Sequence, residues 1–188
     1  MRKTLYDENK LIELVKKLAL RTGQFKLASG KMANFYLDCR KLTLDGEGAN
    51  VIAAGILDLL EKDMPDAVGG MAIGADPITA SVITLAHQRG HQLKGFIVRK
   101  QPKEHGTGQQ VEGPVESGQR VVILEDVTTT GGSCLAAIDH ARNFGLVVDR
   151  AITIVDRLEG AGPRFEAANV KLQSLVTIQQ LGIDPATV

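Results

Sequence analysis

Apolar positions recur every three or four residues through 4–22. Leu11, Leu14, Val15, Leu18 and Ala19 share one helical face, which predicts an amphipathic helix stopped at Gly23. Alternation then takes over. Phe25 and Leu27, then Phe35 and Leu37, stand at every second position on either side of Ala28-Ser29-Gly30-Lys31. That spacing predicts a small hairpin or paired extended segments over 24–27 and 34–38. Helical spacing returns at 48–61, where Val51, Ile52, Ile56, Leu59 and Leu60 are apolar.

From residue 67 the rhythm changes to short apolar runs separated by helical stretches. Strands are predicted at 67–73, 95–98, 120–125, 150–155 and 170–176. Helices are predicted at 77–89, opened by Pro77 and closed by Gly90, and at 132–144. This order indicates βαβ units in an α/β fold, with a mostly parallel central sheet flanked by helices. Ligands of such sheets bind at the carboxyl ends of strands, here just after Ile73, Val98, Leu124 and Val155. No repeat or linker divides the 188 residues, so a single domain is expected, with an N-terminal hood over about 1–45 and a core over about 46–188. The segment 100–118 has no period and contains Gly106, Gly108, Gly113, Pro114 and Gly118. Aperiodic stretches of this length are often lids or binding loops. Arg99, Lys100, Lys103 and His105 crowd its start, so it reads as a lid for an anion, against the plainer reading of a solvated hairpin.

Composition narrows the classes. Hydrophobic residues make up 44% and charged residues 23%, which excludes a disordered, collagenous or coiled-coil chain. Lys and Arg number 22, as do Asp and Glu, so no broad attraction to nucleic acid or to an anionic membrane is expected. Cys39 and Cys134 form no CxxC pair, which argues against a disulfide framework or a structural zinc. The apolar runs are too short to span a bilayer, and the basic start is followed by Asp7 and Glu8 rather than an apolar signal core. A reduced, cytoplasmic protein is expected.

Chemistry concentrates at 121–133, where an apolar strand runs into Glu125-Asp126-Val127-Thr128-Thr129-Thr130-Gly131-Gly132-Ser133 and a helix follows. Glycines let a backbone approach an anion closely, hydroxyls and amides donate to it, and a helix N-terminus adds positive potential. The pattern is a phosphate cradle, although neither GxxxxGK[ST] nor GxGxxG is present. A pure phosphate site would avoid two carboxylates. They make sense as acceptors for sugar hydroxyls, or as groups that help hold Mg²⁺ through water, and a ribose 5-phosphate presents both needs. The plainer alternative is a polar strand-to-helix turn with a Thr/Ser cap. Elsewhere, His87 and His91 stand four apart, but Gln88 replaces the glutamate of HExxH. Cys134 lacks a His partner, and Ser29 and Ser133 lack a GxSxG setting.

Residues 124–133 resemble the phosphoribosyl-pyrophosphate (PRPP) signature of the type I phosphoribosyltransferases. Arg99-Lys100-Gln101-Pro102-Lys103-Glu104-His105-Gly106 resembles the mobile loop of the orotate phosphoribosyltransferases, Leu27-Ala28-Ser29-Gly30-Lys31 their hood motif, and Val155-Asp156-Arg157 their later strand end. The likeness runs from about residue 11 to 182. It implies a homodimeric, Mg²⁺-dependent enzyme with active sites shared between subunits, joining PRPP and orotate in pyrimidine biosynthesis. It implies that Glu125 and Asp126 hold the ribose hydroxyls and that Val127, Thr128, Thr129, Thr130, Gly131, Gly132 and Ser133 wrap the 5-phosphate. Arg99, Lys103 and His105 would contact pyrophosphate, Lys100 would do so from the neighbouring subunit, and Thr129 and Arg157 would contact orotate. Lys103, His105 and Asp126 would be catalytic, and Mg²⁺ would be held mainly through PRPP and water. A phosphoribosyltransferase for another base, or a PRPP-sensing regulator on the same fold, are the alternatives. Two positions depart from the pattern: Ala28 stands where a hood lysine is common, and Gly74-Ala75-Asp76-Pro77 replaces an aromatic-lysine pair. Both remove cations, and Lys31, Arg40 and Lys41 are the candidates to compensate.

Overall fold

The computed structural model describes residues 6–26, 32–101 and 109–185. The expectations placed on Lys103, His105, Ala28 and Lys31 lie outside these residues. A first helix, α1 (Glu8–Leu14), is capped by the Asp7 side chain, which accepts from Lys10 N–H at 3.1 Å. It loosens into a π-helical turn at Val15–Ala19 and then goes straight into strand β1 (Leu20–Lys26). The helix predicted to reach residue 22 therefore ends early. Leu20, Arg21 and Thr22 instead pair with Leu37, Tyr36 and Phe35 of β2 (Met32–Leu37), so ladder bonds override the local helical period. Gly23 does not stop a helix. It sits at φ 148° in β1, where the register shifts between Thr22 and Phe25.

A short helix that the periodicity missed, α2 (Arg40–Thr43), leads into α3 (Gly46–Leu60), whose Asp45 cap accepts from the Glu47 and Gly48 amides. The core then alternates: β3 (Ala67–Met71), α4 (Ala75–Gln88), β4 (Lys94–Val98), β5 (Val111–Glu112), β6 (Arg120–Thr128), α5 (Gly132–Phe144), β7 (Val147–Asp156), α6 (Ala161–Ala167) and β8 (Lys171–Thr177). The six-stranded sheet has the order β5-β4-β3-β6-β7-β8, and only β5 runs antiparallel to its neighbour.

Burial on both faces explains the near-continuous apolar strands. On β6, Val122 and Leu124 pack with α1, α3 and α4, whereas Val121 and Ile123 pack with α5 and Phe165 of α6. Gly70 lets β3 pass close to β6, since a Cβ there would fall 2.1 Å from the Leu124 carbonyl oxygen. Leu11, Leu14 and Val15 belong to the same apolar cluster as α3, so the start of the chain packs into the core rather than standing apart.

Three further differences bear on the site. β6 extends past Glu125 to Thr128, because Val127 and Thr128 pair with Val155 and Asp156. The aperiodic 100–118 segment is tied down at its far end: β5 pairs with β4, and Val111 and Val115 are buried. Its base is closed by Arg99 N–H donating to Gln110 O at 2.8 Å and Gln110 Nε2 donating to Arg99 O at 3.1 Å. α6 was not anticipated at all.

Candidate active site

The strand ends after β3, β4 and β6 converge on a cleft of about 500 Å³. Its walls include Ala72, Ile73 and Gly74 from the β3–α4 turn, Lys100 from the β4 end, Glu125, Asp126 and Val127 from β6, and Ser133 from α5. The hairpin side supplies Tyr36, Leu37, Asp38, Cys39 and Arg40. This matches the placement expected of ligands in parallel sheets.

Glu125 is nearly buried, at 7% exposure, and its Oε2 has no hydrogen-bond partner among the described residues. Burial pushes its carboxyl up to about 8, and the adjacent Asp126 carboxylate adds to the rise. Asp126 Oδ1 accepts from the Val127 amide at 2.8 Å and faces Gly74 across the cleft, 3.2 Å from where a Cβ on that glycine would stand. A buried acid beside a second carboxylate suits a ligand that brings hydroxyls to donate and accept.

The loop after β6 opens α5 without a side-chain cap. Gly131, in the left-handed region at φ 79°, occupies the cap position and contributes no hydroxyl of its own. The first amides of α5 are therefore open to an anion. Cys134 in that first turn is no thiolate, because burial and then the Glu125 charge push its thiol well above the usual range. Cys39 is likewise buried and raised, by burial and then Asp126.

Lys100 lines the cleft of its own chain together with Asp126, and it also lines a neighbouring groove that it shares with Arg99, Asp76, Ile97 and Glu112. There Arg99 Nη1 pairs with Glu112 Oε1 at 3.1 Å.

Arg157 does not line the cleft. It stands at the end of β7, where its amide donates to Thr128 O at 2.9 Å. Its guanidinium lies 4.6 Å over the Phe35 ring, and its Nε is 2.7 Å from Glu159 Oε1. Arg157 thus stands in an ion pair with Glu159, outside the walls of the cleft.

Sequence reasoning missed Tyr36, Asp38 and Phe35 as neighbours of the site, whereas it named Glu159 as a salt-bridge partner for Arg157. Of the compensating cations, Arg40 lines the cleft, while Lys41 is not among its walls. Arg40 Nε is 2.9 Å from Asp38 Oδ1, and this hydrogen bond holds the Asp38 carboxyl below its usual range. Asp76, in the turn that departs from the family pattern, has a buried Oδ1 without a hydrogen-bond partner among the described residues, and burial raises its carboxyl. Among the described residues no three His, Cys, Asp or Glu side chains gather to hold a metal, His87 and His91 included. No helix among them is long and apolar enough to cross a membrane.

The phosphoribosyl transferase domain family matches residues 48–185. An orotate phosphoribosyltransferase of Rhodopirellula baltica is 52% identical over 181 residues, covering 93% of this chain and 94% of that one. One from Aquifex aeolicus is 38% identical over 180 residues, covering 94% and 98%. Among solved structures, the Mycobacterium tuberculosis H37Rv orotate phosphoribosyltransferase in complex with PRPP superposes with a TM-score of 0.80 at 31% identity, covering 94% of this chain and 99% of that one. Cleft, uncapped helix start and sheet order thus coincide with likeness over nearly the whole length, and the chain belongs to the orotate phosphoribosyltransferase family.

Proposed function

We propose that this protein transfers the ribose 5-phosphate group of PRPP to N1 of orotate, releasing pyrophosphate, as a step of pyrimidine biosynthesis. The observation that carries the reading is the convergence of Glu125, Asp126, Ser133 and Lys100 on one cleft at the carboxyl ends of parallel strands, next to an uncapped helix start. Glu125 and Asp126 take the ribose hydroxyls, and the backbone and hydroxyls from Val127 to Ser133 wrap the 5-phosphate. Lys100, with Arg40 nearby, faces the pyrophosphate. The C1–O bond breaks with its electron pair leaving on pyrophosphate, and deprotonated N1 of orotate closes the new bond. Cations preset around the leaving group act where charge grows, which is the interaction that accelerates a reaction. Lys103 and His105 remain assigned to this task by resemblance.

Mg²⁺ fits the donor chemistry, since the cleft offers hard carboxylate oxygens. With no three-ligand set among the described residues, Asp126 and Glu125 would hold the ion through water, and PRPP would supply most of its ligands. When bound it neutralises charge developing on pyrophosphate.

The test is a PRPP-dependent assay with orotate, uracil, adenine and hypoxanthine. Orotate is expected to be the preferred base. Preference for another base would indicate a sister activity, and PRPP binding without turnover would indicate a sensor.

The active form is read as a homodimer with shared sites, in which Arg99 rather than Lys100 serves the partner's cleft. Mixing inactive Arg99→Ala and Asp126→Ala proteins should restore activity, because one site per heterodimer then holds both intact residues. Mixing Lys100→Ala with Asp126→Ala should restore none. The reverse pattern, with subunit exchange shown separately, would return Lys100 to the partner's site.

A further inference from the structure

The loop after β6 is gripped from behind by the chain that runs from the end of β7 into α6. The Arg157 amide donates to Thr128 O at 2.9 Å, and Arg164 Nη1 donates to Thr130 O at 2.6 Å. Two alternate carbonyls of the loop are thus held by the β7–α6 segment. Phe165, buried on α6, fills the space beside Gly131, where a Cβ would come within 2.4 Å of its ring. Gly131 stands at φ 79°, a conformation that side-chain-bearing residues rarely adopt.

In a planar trans peptide the carbonyl and the following N–H point in opposite directions. Fixing the Thr130 carbonyl toward Arg164 therefore aims the Gly131 N–H away from α6. A charged donor is the stronger kind of partner for such a carbonyl. Without it, the Thr130–Gly131 peptide is free to rotate, since its glycine tolerates several backbone conformations.

We propose that Arg164 is a positioning residue for the 5-phosphate. Its guanidinium does not touch the substrate; it sets the orientation of the amide that does. The proposal rests on the reading that Val127 to Ser133 wrap the 5-phosphate, and it adds α6 as the brace of that loop.

The experiment compares wild type, Arg164→Met and Arg164→Lys by steady-state kinetics, by calorimetric titration with inorganic phosphate, and by thermal melting. Met keeps the aliphatic stem and removes the donor, whereas Lys keeps one charged donor. The expected result for Arg164→Met is a roughly tenfold rise in KM for PRPP and in Kd for phosphate, from the loss of one charge-assisted hydrogen bond. KM for orotate and kcat should change less than about twofold on the same reasoning. Arg164→Lys should fall between Met and wild type. Unchanged PRPP and phosphate binding in Arg164→Met would overturn the proposal and leave the loop reading intact. Equal loss of kcat and of both substrates, with a lowered Tm, would make α6 merely structural and would also overturn it. Failure of wild type to bind either phosphate or PRPP would instead remove the loop reading on which the proposal stands.

Discussion

Arg157→Leu should lower kcat/KM for orotate by roughly 10- to 150-fold, the range of one charge-assisted hydrogen bond at about 1.4 kcal/mol per decade. Orotate differs from uracil by a carboxylate beside the reacting nitrogen. The planar fork of arginine matches that group in two parallel bonds. Arg157, which resemblance assigns to that carboxylate, is held on two sides, by the Phe35 ring at 4.6 Å and by Glu159 at 2.7 Å from its Nε. On that assignment the leucine variant loses the reader and also leaves the Glu159 carboxylate without its counter-charge. That unbalanced charge places the loss toward the upper end of the range. Uracil never used the contact, so its slow turnover should fall much less. Rates for both bases on both proteins decide the matter. An equal loss for the two would mean that Arg157 supports the fold or PRPP rather than the orotate carboxylate.

The Glu125–Ser133 stretch was legible as a candidate because its chemistry is contiguous. An apolar strand, two acids, three threonines and two glycines keep their neighbours along the chain, so Glu125 to Ser133 could be named as one site. The parallel sheet was legible for a similar reason, since strands buried on both faces read as short unbroken apolar runs. Residues brought in from a distance left no such trace. Tyr36 and Asp38 reach the cleft only because the hairpin folds over it, and nothing local in Tyr36-Leu37-Asp38-Cys39-Arg40 says so. α6 was invisible because seven residues are too few for a period to emerge, and because Gly162 and Pro163 read as loop. Proline is tolerated in a first helical turn, where its missing N–H has no partner to lose, and that is where Pro163 stands. The early end of α1 had the opposite cause. The apolar stripe through Leu18 and Ala19 was real, but pairing with β2 won over it from Leu20 onward. A period describes what a segment prefers alone, and a ladder describes what its neighbours offer.

Replacing Glu125 by Gln should make folding stability less sensitive to pH, and the sign follows from where the proton sits. In the unfolded chain this carboxyl titrates near its ordinary 4.5, whereas burial and the Asp126 carboxylate push it up to about 8 in the folded protein. Between those values the folded state keeps a proton that the unfolded state has released. Its contribution is fully present below about pH 4.5 and is lost as pH rises through about 8. Each pH unit in that window costs up to about 1.4 kcal/mol, so the loss from pH 5 to pH 8 is roughly 3–4 kcal/mol at most. Glutamine has the same shape and no proton to lose. Melting curves of the two proteins should therefore nearly coincide at pH 4.5 and separate steadily toward pH 8.5, with the glutamine variant the more stable at the alkaline end. A separation that stays constant with pH would show that Glu125 is as ionised in the folded chain as in the unfolded one. The proton also has a place in the proposed chemistry. Near neutral pH a largely protonated Glu125 can donate to a ribose hydroxyl and adds little repulsion toward the 5-phosphate beside it, which is how an acidic pair comes to share a cleft with a phosphate loop.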